Sequence, residues 1–302
     1  MEADGIPAEH VAIVGGALDG IERVLQAHLR AGDRVAVEDP GYTAVLDLLS
    51  ALGLLAEPVP VDDYGLRPAD LRGALRAGAA ACILTPRAQN PTGAALDARR
   101  ARELRVLLNA HPDVLVVEDD HAGPIAGAEA LTVVHPRRER WAVVRSVSKS
   151  LGPDLRLAAL AGDALTVARV EGRMALGVGW VSCVLQEMVE RLWSLPPTAR
   201  KLRDAAKTYA RRRQGLIEAL ARRGVAARGR SGLNVWVPVA EEAAVVAHLA
   251  AAGWAVRAGE RYRLRSPPAI RVTIATLGPA EAERLADDVA RALSGAGRHA
   301  SA

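Results

Sequence analysis

The feature that most constrains the fold is a regular alternation of short apolar runs with segments whose apolar residues recur every three to four positions. The apolar runs lie at 11–14, 34–38, 54–61, 81–85, 114–117 and 157–161. After the first run, helical spacing is kept by Leu18, Ile21, Leu25 and Leu29. Strands that alternate with amphipathic helices pair mostly in parallel, because each helix carries the chain back across the sheet. The sequence therefore predicts an α/β fold around a mostly parallel sheet.

Turn-forming and polar residues follow three of these predicted strands. The turns read Asp39-Pro40-Gly41-Tyr42, Asn90-Pro91-Thr92-Gly93 and Glu118-Asp119-Asp120-His121. Ligands bind at the carboxyl ends of the strands in such sheets, so these turns are candidates for a binding site. The alternatives are ordinary packing of Tyr42 and a purely structural asparagine in the second turn.

A glycine pair, Gly15-Gly16, joins the first predicted strand to its helix. Free amides and the helix dipole at such a junction suit a phosphate. The spacing matches neither GxGxxG nor GxxxxGK[ST], so it indicates neither a dinucleotide site nor a P-loop. A tight turn without any ligand remains the alternative.

Lys149 is one of only three lysines in the chain. The other two, Lys201 and Lys207, lie in a polar stretch with the pattern of an exposed helix face. Lys149 instead follows the apolar run 141–144 and stands among serines and a glycine, which leave room for a bulky group. A lysine amine can form a Schiff base with a carbonyl. A solvated loop lysine is the alternative.

Composition excludes several classes of function. The net charge is only +4, and the arginine clusters at 99–102, 137–140, 211–213 and 222–223 are interpreted as solvated faces, so we expect no nucleic-acid or membrane partner. Nothing has the length or pattern of a membrane span or signal peptide, which predicts a cytoplasmic protein. Cys82 and Cys183 form no CxxC pair. Only His121 accompanies the three acids at 118–120, so no metal is predicted.

The domain boundary is predicted at Pro196-Pro197, which interrupts the helical pattern before a long polar helix at 199–222. Residues 1–197 then form the large α/β domain and 198–294 a small α+β domain. The small domain has expected strands at 235–239, 255–257 and 270–274 and helices at 241–252 and 279–294. Residues 295–302 are predicted to be a disordered tail.

Taken in order, these turns and the segment Ser146-Val147-Ser148-Lys149 with Arg156 resemble the pyridoxal-phosphate enzymes of the aspartate aminotransferase fold, known as fold type I. The similarity is greatest to the aminotransferase-like domain of MocR-type GntR regulators and covers nearly the whole chain. It implies the PLP-dependent transferase fold and pyridoxal 5'-phosphate (PLP) as cofactor.

The resemblance also implies a role for each site residue. Lys149 holds the cofactor as a Schiff base and acts as general base. Asp119 pairs with the pyridine nitrogen, Asn90 bonds the phenolic oxygen, and Tyr42 stacks on the ring. The groups implied for the phosphate are the amides of Gly16, Ala17 and Leu18, the hydroxyls of Ser146 and Ser148, and Arg156.

Arg271, in the predicted strand 270–274, corresponds to the arginine that clamps the substrate carboxylate in this family. An ordinary surface position is its alternative. The chain departs from the family pattern at His121, which stands where a tyrosine is usual and is expected to reach the phenolic oxygen. The glycine turn lacks the usual serine or threonine. The chain begins at the first strand, so the N-terminal arm and any winged helix-turn-helix are expected to be missing.

The resemblance implies a PLP-dependent aminotransferase that acts on an amino acid or related amine and a keto acid, as a homodimer. The alternative is an effector-sensing domain of a MocR/GntR-type transcriptional regulator with little or no turnover. In either case no nucleic acid is expected to bind this chain alone, because it has no basic recognition helix.

Overall fold

The large sheet is built from the predicted apolar runs, as described by a computed structural model that covers residues 1–299, with side chains to Ser294. Its eight strands run in the order β1-β8-β7-β6-β5-β2-β3-β4. Their bounds are β1 Val11–Val14, β2 Arg34–Asp39, β3 Leu55–Asp62, β4 Gly65–Leu66, β5 Ala79–Leu84, β6 Leu115–Asp120, β7 Trp141–Ser146 and β8 Ala158–Gly162. β3, β2, β5, β6 and β7 are parallel, while β8 is antiparallel to both β7 and β1. The predicted α/β class with a mostly parallel sheet is confirmed.

Helices cover both faces of this sheet. They are α1 Ala17–His28, α2 Thr43–Ala51, α3 Pro68–Arg76, α4 Ala98–Asn109, α5 Ala164–Ala175 and α6 Cys183–Ser194. One face packs under α3 and α4, where Leu71 and Leu104 are fully buried, and the other under α1 and α2, where Ile21 and Leu49 are fully buried. Because both faces are covered, the central strands are mainly apolar, and β2, β6 and β7 carry polar residues at their carboxyl ends.

The small domain places three antiparallel strands, in the order β10-β11-β9, against helices. Its elements are α7 Pro196–Ala221, β9 Asn234–Pro238, α8 Glu242–Ala251, β10 Arg257–Ala258, β11 Ala269–Thr273 and α9 Pro279–His299. Leu216, Leu249 and Val289 meet in a separate apolar core. The sheet thus carries Arg271 on its middle strand.

Two boundaries differ from the sequence-based expectation. Helix α9 continues to His299, so residues 295–299 are helical, whereas the sequence led us to expect a disordered tail from 295. Residues 300–302 lie outside the described residues. Of the expected strand 255–257, only Arg257 lies in β10. The division at 197/198 stays a prediction. Along the described chain, no helix is both long and apolar enough to cross a membrane.

Candidate functional site

A cavity of about 330 Å³ opens where the carboxyl ends of the parallel strands face the small domain. Nearly all of the site residues predicted from the sequence line it: Ala17, Leu18, Tyr42, Asn90, Asp119, His121, Ser146, Ser148, Lys149, Arg156 and Arg271. Gly16 is the exception, since it does not line the cavity but lies next to the Arg156 guanidinium. The topology therefore gathers residues that are far apart in sequence around one cavity, while their roles stay predictions.

The start of α1 forms one end of the cavity. Gly16 is the N-cap residue, with φ 110°, and no side chain caps the helix. The first amides of the helix, at Ala17 and Leu18, are therefore available to an anion and are favoured by the helix dipole. The Gly16 amide instead donates to the carbonyl of Val14 at 2.9 Å. The Gly16 amide thus already has a backbone acceptor, and the role of the three amides toward a phosphate stays a prediction.

Arg156 and the two serines complete this end. A Cβ on Gly16 would lie 3.1 Å from Arg156 Nη2, so glycine gives the guanidinium its place beside the helix start. The Ser148 amide donates to Ser146 Oγ at 3.2 Å, and Ser148 Oγ donates to the carbonyl of Leu155 at 3.3 Å. These bonds are internal to the segment after β7 and fix the shape of its turn. The arrangement suits a phosphate group.

The two aspartates at the end of β6 have different environments, because neighbouring residues of a strand point to opposite faces. Asp120 is buried and accepts a bidentate pair from Arg87, with distances of 2.9 and 2.8 Å. Arg145 Nε donates to it at 2.7 Å. These guanidinium partners outweigh burial and lower the pKa of Asp120. Asp120 is a structural ion-pair partner.

Asp119 faces the cavity with no such partner. It is 4% exposed, and its Oδ1 is buried without a hydrogen-bond partner among the described residues. The other oxygen lies 3.8 Å from Nδ1 of His121. Burial raises the pKa of Asp119, and His121 partly opposes that shift. A carboxylate left this way suits a positively charged N–H donor on a ligand, which is what a protonated pyridine ring presents.

Lys149 lies in the turn after β7 and is exposed at the cavity. Lys201 and Lys207 lie on α7 and do not line this cavity. The structure thus brings the single predicted nucleophile together with Asp119 and the α1 start.

Arg271 enters the cavity from β11 of the small domain. Its Nη1 donates to Asn90 Oδ1 at 3.0 Å, and Asn234 Nδ2 donates to the same oxygen at 3.4 Å. These bonds use the amide oxygen of Asn90 and leave its Nδ2 as a donor. The guanidinium lies 5.0 Å from the centre of the Tyr262 ring, and its Nε is buried without a partner in the described chain. Burial lowers the pKa of Arg271.

The turn that carries Tyr42 is bonded to the small domain. Asp39 accepts from the amides of Leu264, Arg265 and Ser266 at 2.9, 2.8 and 2.9 Å. The Gly41 amide donates to the carbonyl of Tyr262 at 2.7 Å. Both domains therefore contribute to one fixed framework around the cavity.

The sequence did not indicate that several residues build this framework, namely Glu38, Asp39, Arg87 and Gln89. It also did not show that Asp120 pairs with two arginines. Each is buried and polar, but its partners lie far along the chain. Their position at or just after the carboxyl ends of predicted strands is the signal that the sequence offers. A group of three or more His, Cys, Asp or Glu suited to a metal does not occur in the part of the chain that the structure describes.

Comparison with known proteins identifies the family of the chain. The family described as "Aminotransferase class I and II" matches residues 5–289. The chain belongs to this family. Aminotransferases of the family use pyridoxal 5'-phosphate, which confirms the cofactor predicted from the sequence. The kynurenine aminotransferase of Pyrococcus horikoshii has the same fold, with a TM-score of 0.89, 21% identity, and coverage of 98% of this chain and 78% of that one.

Two relatives are transcriptional regulators. The vitamin B6 salvage pathway transcriptional repressor PtsJ of Salmonella typhimurium is 42% identical over 95% of this chain and 67% of its own length. The HTH-type transcriptional regulator TauR of Rhodobacter capsulatus is 30% identical over 76% of this chain and 47% of its own. The chain thus spans about half to two thirds of these regulators. The predicted resemblance to aminotransferases and to MocR-type regulators is confirmed.

Proposed function

We propose that this chain holds PLP on Lys149 and transfers the amino group of an amino acid or related amine to a keto acid. One observation carries the proposal: a buried carboxylate oxygen without a partner, on Asp119, faces the cavity that also holds Lys149 and the open start of α1. Each of these groups suits a different part of the cofactor.

Each residue of the cavity has a proposed role that follows from its chemistry. Bound PLP supplies an aldehyde carbon and a protonated ring that withdraws electrons from the substrate. The Asp119 carboxylate keeps the proton on the ring nitrogen, while the α1 amides, Ser146, Ser148 and Arg156 hold the phosphate. Lys149 Nζ takes the α-proton of the substrate and returns it, as a general base and acid. Asn90 Nδ2 and His121 face the phenolic oxygen, and Tyr42 covers the ring.

Arg271 is proposed to bind the substrate carboxylate. A guanidinium matches a carboxylate with two parallel hydrogen bonds. Its Nε has no partner in the described chain, and its bond to Asn90 uses Nη1 alone. Substrate binding therefore completes the hydrogen bonding of Arg271 beside the residue that contacts the cofactor.

The proposal is tested by titrating the purified chain with PLP and recording its absorbance. Borohydride reduction followed by peptide mapping is expected to find the pyridoxyl group on Lys149. Lys149→Ala is expected to lose the label, while Lys201→Ala, an exposed lysine on α7, keeps it. A label on Lys201 or Lys207, or no label, contradicts the proposal. A panel of amino acids then tests whether the absorbance band of the bound cofactor is converted.

A second function, ligand sensing without turnover, is favoured by the identity of 42% to PtsJ over 95% of this chain. PtsJ is named as a repressor of vitamin B6 salvage. In this case the cofactor itself is the ligand that is sensed, and Lys149 serves only to retain it. Tight PLP binding with no spectral change across the amino acid panel would select sensing. Conversion of the band would select the aminotransferase.

We also propose that the chain works as a homodimer. Three large apolar side chains are exposed between the end of α5 and the start of α6, by 90% for Leu176, 71% for Trp180 and 69% for Val184. A second copy is the occupant expected from the resemblance. Light scattering is expected to give twice the chain mass, and Trp180→Glu to reduce it to the mass of one chain. A monomeric wild type would contradict this proposal.

A further inference from the structure

The turn that carries Asn90 and the turn that carries Tyr42 are joined by one side chain, Gln89. It is fully buried, with 0% exposure. Its Nε2 donates to the carbonyl of Pro40 at 2.8 Å and lies 3.3 Å from Glu38 Oε2. Its Oε1 accepts from the Thr92 amide at 2.9 Å and from Thr92 Oγ1 at 2.5 Å. One amide group therefore spans both turns.

The partners of Gln89 require an amide at this position. The Pro40 carbonyl can only accept a hydrogen bond, and the Thr92 backbone amide can only donate one. A side chain of this length must therefore offer a donor and an acceptor at its tip. An ionised glutamate has the same shape but lacks the donor, and it would also face the Glu38 carboxylate. A leucine offers neither group.

The two turns carry two residues that are proposed to contact the cofactor ring, Tyr42 at its face and Asn90 at its phenolic oxygen. Tyr42 follows Pro40 by two positions, and Asn90 follows Gln89 directly. Neither Gln89 nor Pro40 lines the cavity. We propose that Gln89 is a positioning residue that sets the spacing between Tyr42 and Asn90 and so the fit of the cofactor ring. This inference rests on the proposed binding of PLP in the cavity.

Gln89→Glu tests the inference, since it changes one donor and one charge and keeps the shape. We expect PLP to bind about tenfold or more weakly, the net value of one or two buried hydrogen bonds. The absorbance band of the bound cofactor is expected to shift, because the groups at its phenolic oxygen and ring face move. Thr92→Val removes the hydroxyl bond to Oε1 and, with it, the oxygen that accepts from the Ala94 amide at 3.2 Å, but leaves the Gln89 side chain intact. It is expected to shift the band in the same direction by less, and it provides the test if Gln89→Glu does not fold.

Thr166→Val is the matched control for loss of stability. Thr166 is also fully buried, at 0% exposure, and donates to Asp163 Oδ2 at 2.6 Å, but it lies at the start of α5, away from the cavity. It is expected to lower the melting temperature without moving the absorbance band or the PLP affinity.

The outcomes separate this inference from the proposed function. A wild-type chain that fails to bind PLP removes the proposed function and this inference with it. Wild-type binding together with an unchanged band and affinity in Gln89→Glu and Thr92→Val refutes only the positioning role. Equal band shifts in Thr166→Val and the Gln89 variant also refute it, since loss of stability would then explain both.

Discussion

Replacing Asp120 by asparagine is expected to destabilise this protein far more than the same change at its neighbour Asp119. Asp120 is the common partner of two arginines, with side-chain exposures of 8% for Arg87 and 12% for Arg145. Arg145 retains Asp4 as a second carboxylate partner, whereas Arg87 loses its only ion-pair partner in the described chain. Breaking a buried pair by removing one member costs about 3–5 kcal/mol, because a buried charge is left unpaired. We expect a loss of that size in the free energy of unfolding.

In the cofactor-free chain, Asp119→Asn is not expected to lower the free energy of unfolding. The native carboxylate is buried beside Asp120, and burial raises the pKa of Asp119 although His121 partly opposes the shift. Its ionised form therefore opposes folding above the pKa of about 4 that it has when unfolded. An asparagine of the same shape removes that charge. The free energy of unfolding at neutral pH is expected to equal or exceed that of wild type.

For the rate of the proposed reaction, in contrast, Asp119→Asn is expected to be the more damaging of the two substitutions. Loss of the charge on Asp119 removes the group that keeps the ring protonated, so proton abstraction should fall on the order of 100-fold or more. Asp120→Asn, assayed at a temperature where it stays folded, is expected to lose much less. Urea denaturation of the cofactor-free chains and single-turnover absorbance changes provide the two measurements. Equal stabilities, or a larger functional loss in Asp120→Asn, would refute the assignment of the two carboxylates.

Three further predictions concern single residues. Gly16→Ala is expected to lower the free energy of unfolding by about 1 kcal/mol, because φ is positive there, and also to weaken PLP binding in titrations. Gly32 has a positive φ too but open space around it, so Gly32→Ala is expected to lower stability without changing PLP binding. Arg271→Lys is expected to raise KM for the amino acid with little change in PLP affinity, measured by steady-state kinetics and titration. Burial raises the pKa of Glu38 and of Glu118 to about 7. Stability should therefore decline as pH rises from about 4.5 to 7, and Glu38→Gln should make that decline in the denaturation midpoint smaller.

The sequence permitted the architecture to be predicted because strand ends are marked locally. Apolar runs followed by proline, glycine or acidic turns locate the carboxyl ends of β2, β5 and β6, and parallel pairing brings those ends together. Helix α9 was predicted too short, since the alanine- and glycine-containing residues after 294 resemble a tail in composition. Composition describes average tendency, whereas a helix end depends on local hydrogen bonding.

Sequence alone determined which residue types stand at the cavity, among them Lys149 after β7 and an aspartate at the end of β6. Only the tertiary structure decided how neighbouring residues divide their tasks. Asp119 and Asp120 are the same residue type at adjacent positions. They differ because side chains alternate along a strand, so that Asp120 contacts two arginines and Asp119 faces the open cavity. Gln89 likewise gains its role from Pro40, 49 residues away along the chain. Hydrogen bonds and burial between distant segments set these environments, and they exist only once the sheet and the small domain have come together.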